Sequence, residues 1–259
     1  MTILILFLDA LFFTILMIGS LFGLFKAVFD PMVVLIFWIA SIICLVAAIY
    51  IRKHNLNKFK KEVSEKEESP YLRKNEYFYQ APFYLFGDMH IKIHGLEDGL
   101  WKPYFNNNFL KWLSDYNFIS ATGVKVTSMN NKVILKRTKL YQIRPYYQVF
   151  LNDKEIGTLE MERLIKGGIK QQTPFVFKDK HHTYKFHNAY FSTSTTITNE
   201  DKLQILKSNR SIWDLSTNSF TNRKGETHNI KLTEEATPYP VTLWIGLYIQ
   251  VMINKQQQK

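Results

Sequence analysis

The stretch Pro240–Ile253, PVTLWIGLYIQVMI, decides the fold. Wound as a helix it is apolar on every face, and a helix of that kind belongs inside a core. The residues after the proline are too few for a bilayer span, which needs about 20. Left exposed, they would form an aggregation site. The reading is therefore a helix buried on all sides, and the rest of the chain has to build a wall around it. Trp244 and Tyr248 put bulk on one face of this helix, and Gly246 offers a point of close approach. The polar tail Asn254–Lys259 follows directly.

Upstream the periodicity is that of strands. Met89–His94 and Val124–Thr127 alternate apolar and polar residues, as half-buried strands do, and Lys132–Lys136 follows the turn signal Met129-Asn130-Asn131. Tyr147–Leu151 and Ile156–Leu159 flank the polar turn Asn152–Glu155 and read as a hairpin. Pro174–Phe177 and Thr183–Phe186 flank another turn at Asp179-Lys180. Further short strands are expected at 195–199, 203–207, 211–215, 217–223 and 226–232. Many short strands with frequent turns predict an antiparallel barrel or sandwich rather than α/β. One segment breaks the rhythm. Residues 104–118 place Phe105, Phe109, Trp112, Leu113 and Tyr116 at helical spacing behind the capping residues Asn106–Asn108. Packing on the barrel and lying in a membrane interface both fit this amphipathic helix.

The first 51 residues differ in kind. Ile3–Phe29 and Pro31–Ile51 are nearly all apolar, with Asp30-Pro31 as the break between them. Each is long enough to cross a bilayer, so the reading is a transmembrane hairpin with spans about 3–28 and 31–51. A charged linker follows at 52–76, and the barrel domain occupies 77–259 with its helix near 104–118 and core helix 240–253. The fold class is thus a membrane-anchored α+β protein, with a two-helix hairpin ahead of a mainly antiparallel β-barrel that encloses a C-terminal helix. Arg52, Lys53, Lys58, Lys60 and Lys61 follow the second span without an intervening acid. The positive-inside rule places that run, the N-terminus and the barrel in the cytoplasm of a multi-pass cell-membrane protein. Asp9 sits inside the first apolar stretch, where a carboxylate is expensive.

The chain has a net charge of +11, a pI near 9.5 and one cysteine, Cys44. A secreted disulfide scaffold is excluded, as is a cysteine-based zinc site. Only Asp9, Lys26 and Asp30 are charged in the first 51 residues, so the positive excess belongs to the remainder. No nucleophile elbow or phosphate-binding loop appears; the glycine-rich turn Lys166–Lys170 lacks the strand-to-helix context of one. His90 and His94 share a strand face about 13 Å apart, too far for one metal. The expectation is a protein that is not an enzyme, with no catalytic, cofactor or metal site and no cofactor. Nucleic acid is not an expected partner, since no motif supports it. The basic run that includes Lys136, Arg137, Lys139 and Arg144 is a candidate contact for anionic lipid, together with Arg52, Lys53, Lys58, Lys60 and Lys61.

The order of many short strands closed by one apolar C-terminal helix resembles the tubby C-terminal-like superfamily, which includes phospholipid scramblases and LURP-one-related proteins. The matching stretch runs from about Ile119 to Ile253, and its most telling pieces are Tyr146–Leu159 and Pro240–Ile253. The resemblance implies a closed barrel around a central helix. The N-terminal hairpin and residues 77–118 depart from that pattern. The implied function is a cytoplasmic binding or scaffold module for anionic lipid or an unknown protein partner at the inner membrane face. The alternative it raises is a scramblase-like lipid transporter, but the hairpin offers a crossing headgroup almost no polar track.

Overall fold

The computed structural model describes residues 2–22, 30–64, 72–82, 89–115, 123–138, 144–162, 174–189, 192–211, 226–233 and 238–257. Two helices come first, α1 (Thr2–Leu21) and α2 (Pro31–Ser64). Asp30 caps α2 by accepting from the Met32 amide at 2.9 Å, and Pro31 occupies the first turn, where its missing N–H costs nothing. The helices pack antiparallel. The Trp38 indole donates to Thr14 Oγ1 at 2.9 Å, the Ser41 hydroxyl donates to Asp9 Oδ2 at 2.5 Å, and Phe13 stacks on Phe37. Among the described residues one helical segment, Met32–Ile51, is long and apolar enough to cross a membrane, and Ile5–Leu21 is a shorter apolar helix. The second helix does not stop at the apolar boundary but runs on through the basic segment to Ser64.

Among the described residues twelve strands follow: β1 (Glu76–Ala81), β2 (Ile91–Lys92), β3 (Leu100–Tyr104), β4 (Gly123–Thr127), β5 (Lys132–Arg137), β6 (Tyr146–Leu151), β7 (Lys154–Met161), β8 (Phe175–Asp179), β9 (Thr183–His187), β10 (Ser194–Thr198), β11 (Gln204–Ser211) and β12 (Glu226–Leu232). Helix α3 (Asn108–Asp115) joins β3 to β4, and α4 (Val241–Gln257) ends the chain. Each strand from β2 to β12 pairs antiparallel with the next, and β12 pairs with β1. A single bridge between Phe78 and His94 spans the seam between β1 and β2, with N···O distances of 3.0 and 2.8 Å, so the sheet is a nearly closed barrel. Near-closure removes the exposed edges that would otherwise recruit other chains.

Local chemistry sets the register. Asn152 and Asp153 form a two-residue turn with φ of 51° and 65°, the left-handed conformation that these two residue types tolerate best after glycine. Asn152 Oδ1 also accepts from the Lys132 amide at 2.8 Å, tying this turn to the start of β5. Along the strands alternate residues face in, among them Trp101, Val124, Val126, Val133, Leu135, Tyr147 and Val149.

Helix α4 fills the barrel. Leu243, Ile245, Leu247, Tyr248 and Val251 are completely buried. A Cβ built on Gly246 would lie 3.2 Å from Val133 Cγ1 and 3.3 Å from Val126 Cγ2, so the helix backbone comes closest to β4 and β5 there. The bulk lies elsewhere on the helix: Trp244 packs edge-on against Tyr184 at 4.8 Å and Phe177 at 6.3 Å. The helix enters beside Ser128, whose hydroxyl lies 3.0 Å from that of Thr242, and leaves beside Tyr147, which donates to Asn254 Oδ1 at 2.8 Å. The barrel therefore has a near rim, where β1 begins and α4 enters, and a far rim, where α4 ends and α3 hangs.

Candidate functional site

Two polar regions stand out, one inside the barrel and one on its outer wall. Inside, β11 and β12 turn Ser208, Arg210, Glu226 and His228 toward the core. Arg210 Nη1 and Glu226 Oε1 are 2.8 Å apart with both side chains buried. His228 Nδ1 lies 2.8 Å from the Tyr248 hydroxyl, and its ring stacks on Tyr79 at 4.4 Å. Burial, reinforced by the Arg210 charge, lowers the His228 pKa to about 3, so this imidazole is neutral at physiological pH. Burial likewise pushes the Tyr147 hydroxyl up to about 12 and the Tyr248 hydroxyl higher still. These groups are sealed from solvent. The His228–Tyr248 and Tyr147–Asn254 bonds fix the rotation and depth of α4 in a way that an apolar contact would not specify, while the Arg210–Glu226 pair ties β11 to β12.

The outer wall carries charge instead. On β2 to β5 the residues that alternate with the buried ones include Lys92, Lys102, Lys125, Lys132 and Lys136. Lys102 lies directly opposite Lys125 in the β3–β4 ladder, a like-charge pairing that disfavours the sheet by a few tenths of a kcal/mol or more. Partial burial and the neighbouring Lys132 and Lys102 lower the Lys125 pKa. Lys132 is neutralised by Asp153 at 2.7 Å. On the β7–β8 side a lysine is also matched by an acid, as Lys178 pairs with Glu160. A separate groove of about 570 Å³ lies over β9 and β10, lined by Thr183, Lys185, His187, Thr198, Asn199, Glu200 and Lys202.

The residues expected to contact lipid are distributed by this geometry. Lys136 joins the outer lysine face, opposite Gly123 of β4. Arg137 sits at the far rim, in register with Tyr147, and Arg144 is exposed just ahead of β6. Lys139 lies outside the described residues, as do the glycine-rich turn at 166–170 and the strand expected at 217–223. Lys53 is exposed on α2; Arg52, Lys58, Lys60 and Lys61 belong to the same helix, and their side chains lie outside the description. Lys92, Lys102 and Lys125 are the residues that the sequence reading did not single out. Each is an isolated lysine in the sequence, and only strand pairing brings them together. Among the described residues no group of three His, Cys, Asp or Glu side chains is placed to hold a metal ion.

The class defined by this architecture is a twelve-stranded, up-and-down antiparallel barrel around a C-terminal helix, preceded by an apolar helical pair. Compared with protein-family models, curated proteins and solved structures, the chain matches none.

Proposed function

We propose that this chain is an integral membrane protein whose tubby-like barrel stands on the cytoplasmic side of the membrane and binds anionic lipid there, as a module without catalytic activity. The carrying observation is the lysine face on β2 to β5. Lys102 and Lys125 are held opposite one another, and Lys125 is already disfavoured as a cation. A bound phosphate or carboxylate offsets the like-charge repulsion between Lys102 and Lys125. Lysines near an anionic surface contribute about 1 kcal/mol each, and salt weakens the attraction steeply. The apolar hairpin and the basic extension of α2 support the placement beside a bilayer. The strand order around an all-apolar helix supports the kinship with tubby-like proteins.

Sedimentation of residues 70–259 with neutral and anionic vesicles, at low and moderate salt, tests the reading. Binding is expected only to anionic vesicles. Replacing Lys92, Lys102 and Lys125 by Ser should weaken it more than replacing the sequence run Lys136, Arg137, Lys139 and Arg144. Equal binding by parent and both variants would overturn the proposal.

A further inference from the structure

Among the described residues of the barrel, two exposed aromatic side chains stand alone: Phe109 at 64 % and Trp112 at 51 %, both on α3. They stack on each other, with ring centroids 6.2 Å apart and planes within 16°. The opposite side of the helix, through Leu110 and Ser114, is buried against the protein. This pair is held firmly in place. Asn107 Oδ1 accepts from the Leu110 amide at 2.8 Å and caps α3, and the Asn106 side chain donates to the Arg137 carbonyl at 3.1 Å, fastening the helix start to the end of β5. Cations share this rim: Lys111 on the helix, Lys136 and Arg137 at the end of β5, and Arg144 ahead of β6. The described acids of this rim are Asp115 on α3 itself, Glu162, Glu160, which pairs with Lys178, and Glu226, which is buried against Arg210. The turns of the near rim, in contrast, mix Glu97, Asp98, Glu200 and Asp201 with Lys180 and Lys202, and their exposed apolar residues, such as Met129 and Leu203, stand singly.

We propose that α3 seats the barrel on an anionic bilayer, with Phe109 and Trp112 entering the headgroup region and the far rim facing the membrane. The inference rests on the membrane-anchored reading given above and names the element and the orientation that carry it. Paired aromatics on a rim that carries Lys and Arg have the composition of an interfacial anchor. The tether permits this inverted pose. From Ile51 to Ser64, α2 rises about 20 Å at 1.5 Å per residue. The six residues of β1 descend about 20 Å at 3.3 Å per residue, and the seven residues between α2 and Leu72 reach at most about 25 Å. A chain that climbs along α2 and returns along β1 brings the far rim back to the bilayer surface. It also turns the outer lysines of β3 and β4 toward the membrane edge, since α3 connects the far ends of those two strands.

The test uses the full chain with Cys44→Ser, reconstituted in nanodiscs of neutral or anionic lipid, with a polarity-sensitive dye at Asn108→Cys or, as the control, at Met129→Cys. Co-purification with the disc, resistant to alkaline extraction, first establishes the anchor; a chain that washes off refutes the membrane reading itself, and the proposal with it. In anionic discs at low salt the dye at 108 should shift to the blue and be quenched by nitroxide-labelled headgroups, and the dye at 129 should not. Phe109→Ser with Trp112→Ser should lower the ratio of seated to unseated barrel about tenfold or more, the factor lost with one well-buried aromatic. An anchored chain in which position 129 is quenched and 108 is not, or in which neither is, overturns the orientation. Protection of 108 in native membranes but not in lipid discs would assign α3 to a protein partner and equally overturn it.

Discussion

Acidification should loosen the barrel through one residue. His228 stacks on Tyr79, hydrogen-bonds Tyr248 and sits beside the Arg210 charge, and its pKa falls to about 3 in the folded protein. In the unfolded chain it returns to about 6.5. Between those values the unfolded state binds a proton that the folded state refuses. The stability contributed by neutral His228 is therefore fully present above pH 6.5 and is lost as pH falls below it. From pH 7.5 to pH 5 the linkage amounts to about 2 kcal/mol, a window that stays above most carboxylate titrations. His94 and His187 are also lowered by burial and by nearby Lys92 and Lys185, but they contribute equally to parent and variant. The assay is urea unfolding of residues 70–259, comparing the parent with His228→Gln at half-unit steps of pH. The variant starts less stable, and its stability should fall about 2 kcal/mol less over the same interval. Parallel curves for the two proteins would refute the assignment of a neutral, enclosed imidazole.

Three further outcomes follow from the packing. Leu247→Asp puts an unpaired carboxylate at a fully buried position of α4, costs several kcal/mol and should abolish cooperative melting; a variant that melts like the parent would place α4 outside the barrel. Glu226→Gln leaves the buried Arg210 without its counter-charge and should cost about 3 to 5 kcal/mol, whereas Arg210→Met combined with Glu226→Leu should recover most of that loss in the same denaturation assay. Gly157→Ala should lower the urea midpoint by an amount equivalent to about 1 to 3 kcal/mol, because its Cβ would fall 2.2 Å from the Lys178 carbonyl oxygen and force β7 away from β8.

What the sequence revealed follows from where apolar residues can and cannot hide. The all-apolar face of α4 has one physical solution, enclosure, and the alternating strands around it are legible for the same reason. The misses have causes of their own. Glu76–Ala81 does not alternate, since Tyr77 and Tyr79 face the core and Phe78, against the His94 ring, is buried on the other side; the aromatic run fits a strand, but the period of two that marks the others is absent from β1. Pro103 argues against a strand at 100–104, yet β2 begins only at Ile91, opposite Trp101, so from Lys102 onward β3 has no partner in β2 and loses no ladder bond to it through the missing N–H. Three barrel strands therefore lie ahead of α3, which hangs from the wall as a connection between β3 and β4. The expected break between 203–207 and 211–215 is absent. Polar Ser208 and Arg210 point inward on one continuous β11, where Arg210 meets the buried Glu226, and inward polar residues imitate a turn when only hydropathy is read.

The same reasoning explains why the basic run 132–144 is an incomplete guide to the charged surface. A period of two sends neighbours in a strand to opposite faces, so Lys136 looks outward while Arg137 stands at the mouth beside Tyr147. Surface charge in a barrel is summed across the ladder, by register, and not along the chain. Lys102 and Lys125 are 23 positions apart in sequence and directly opposed in the sheet. A single register slip in β4 would turn Lys125 into the core and Val124 and Val126 to solvent, which the burial of both valines forbids. The apolar core therefore dictates the lysine face: the residues that hold α4 in place are the ones that fix which lysines meet on the outside. Changes to the inward valines of β4 should accordingly alter the proposed anion binding through register, even though neither Val124 nor Val126 touches the surface.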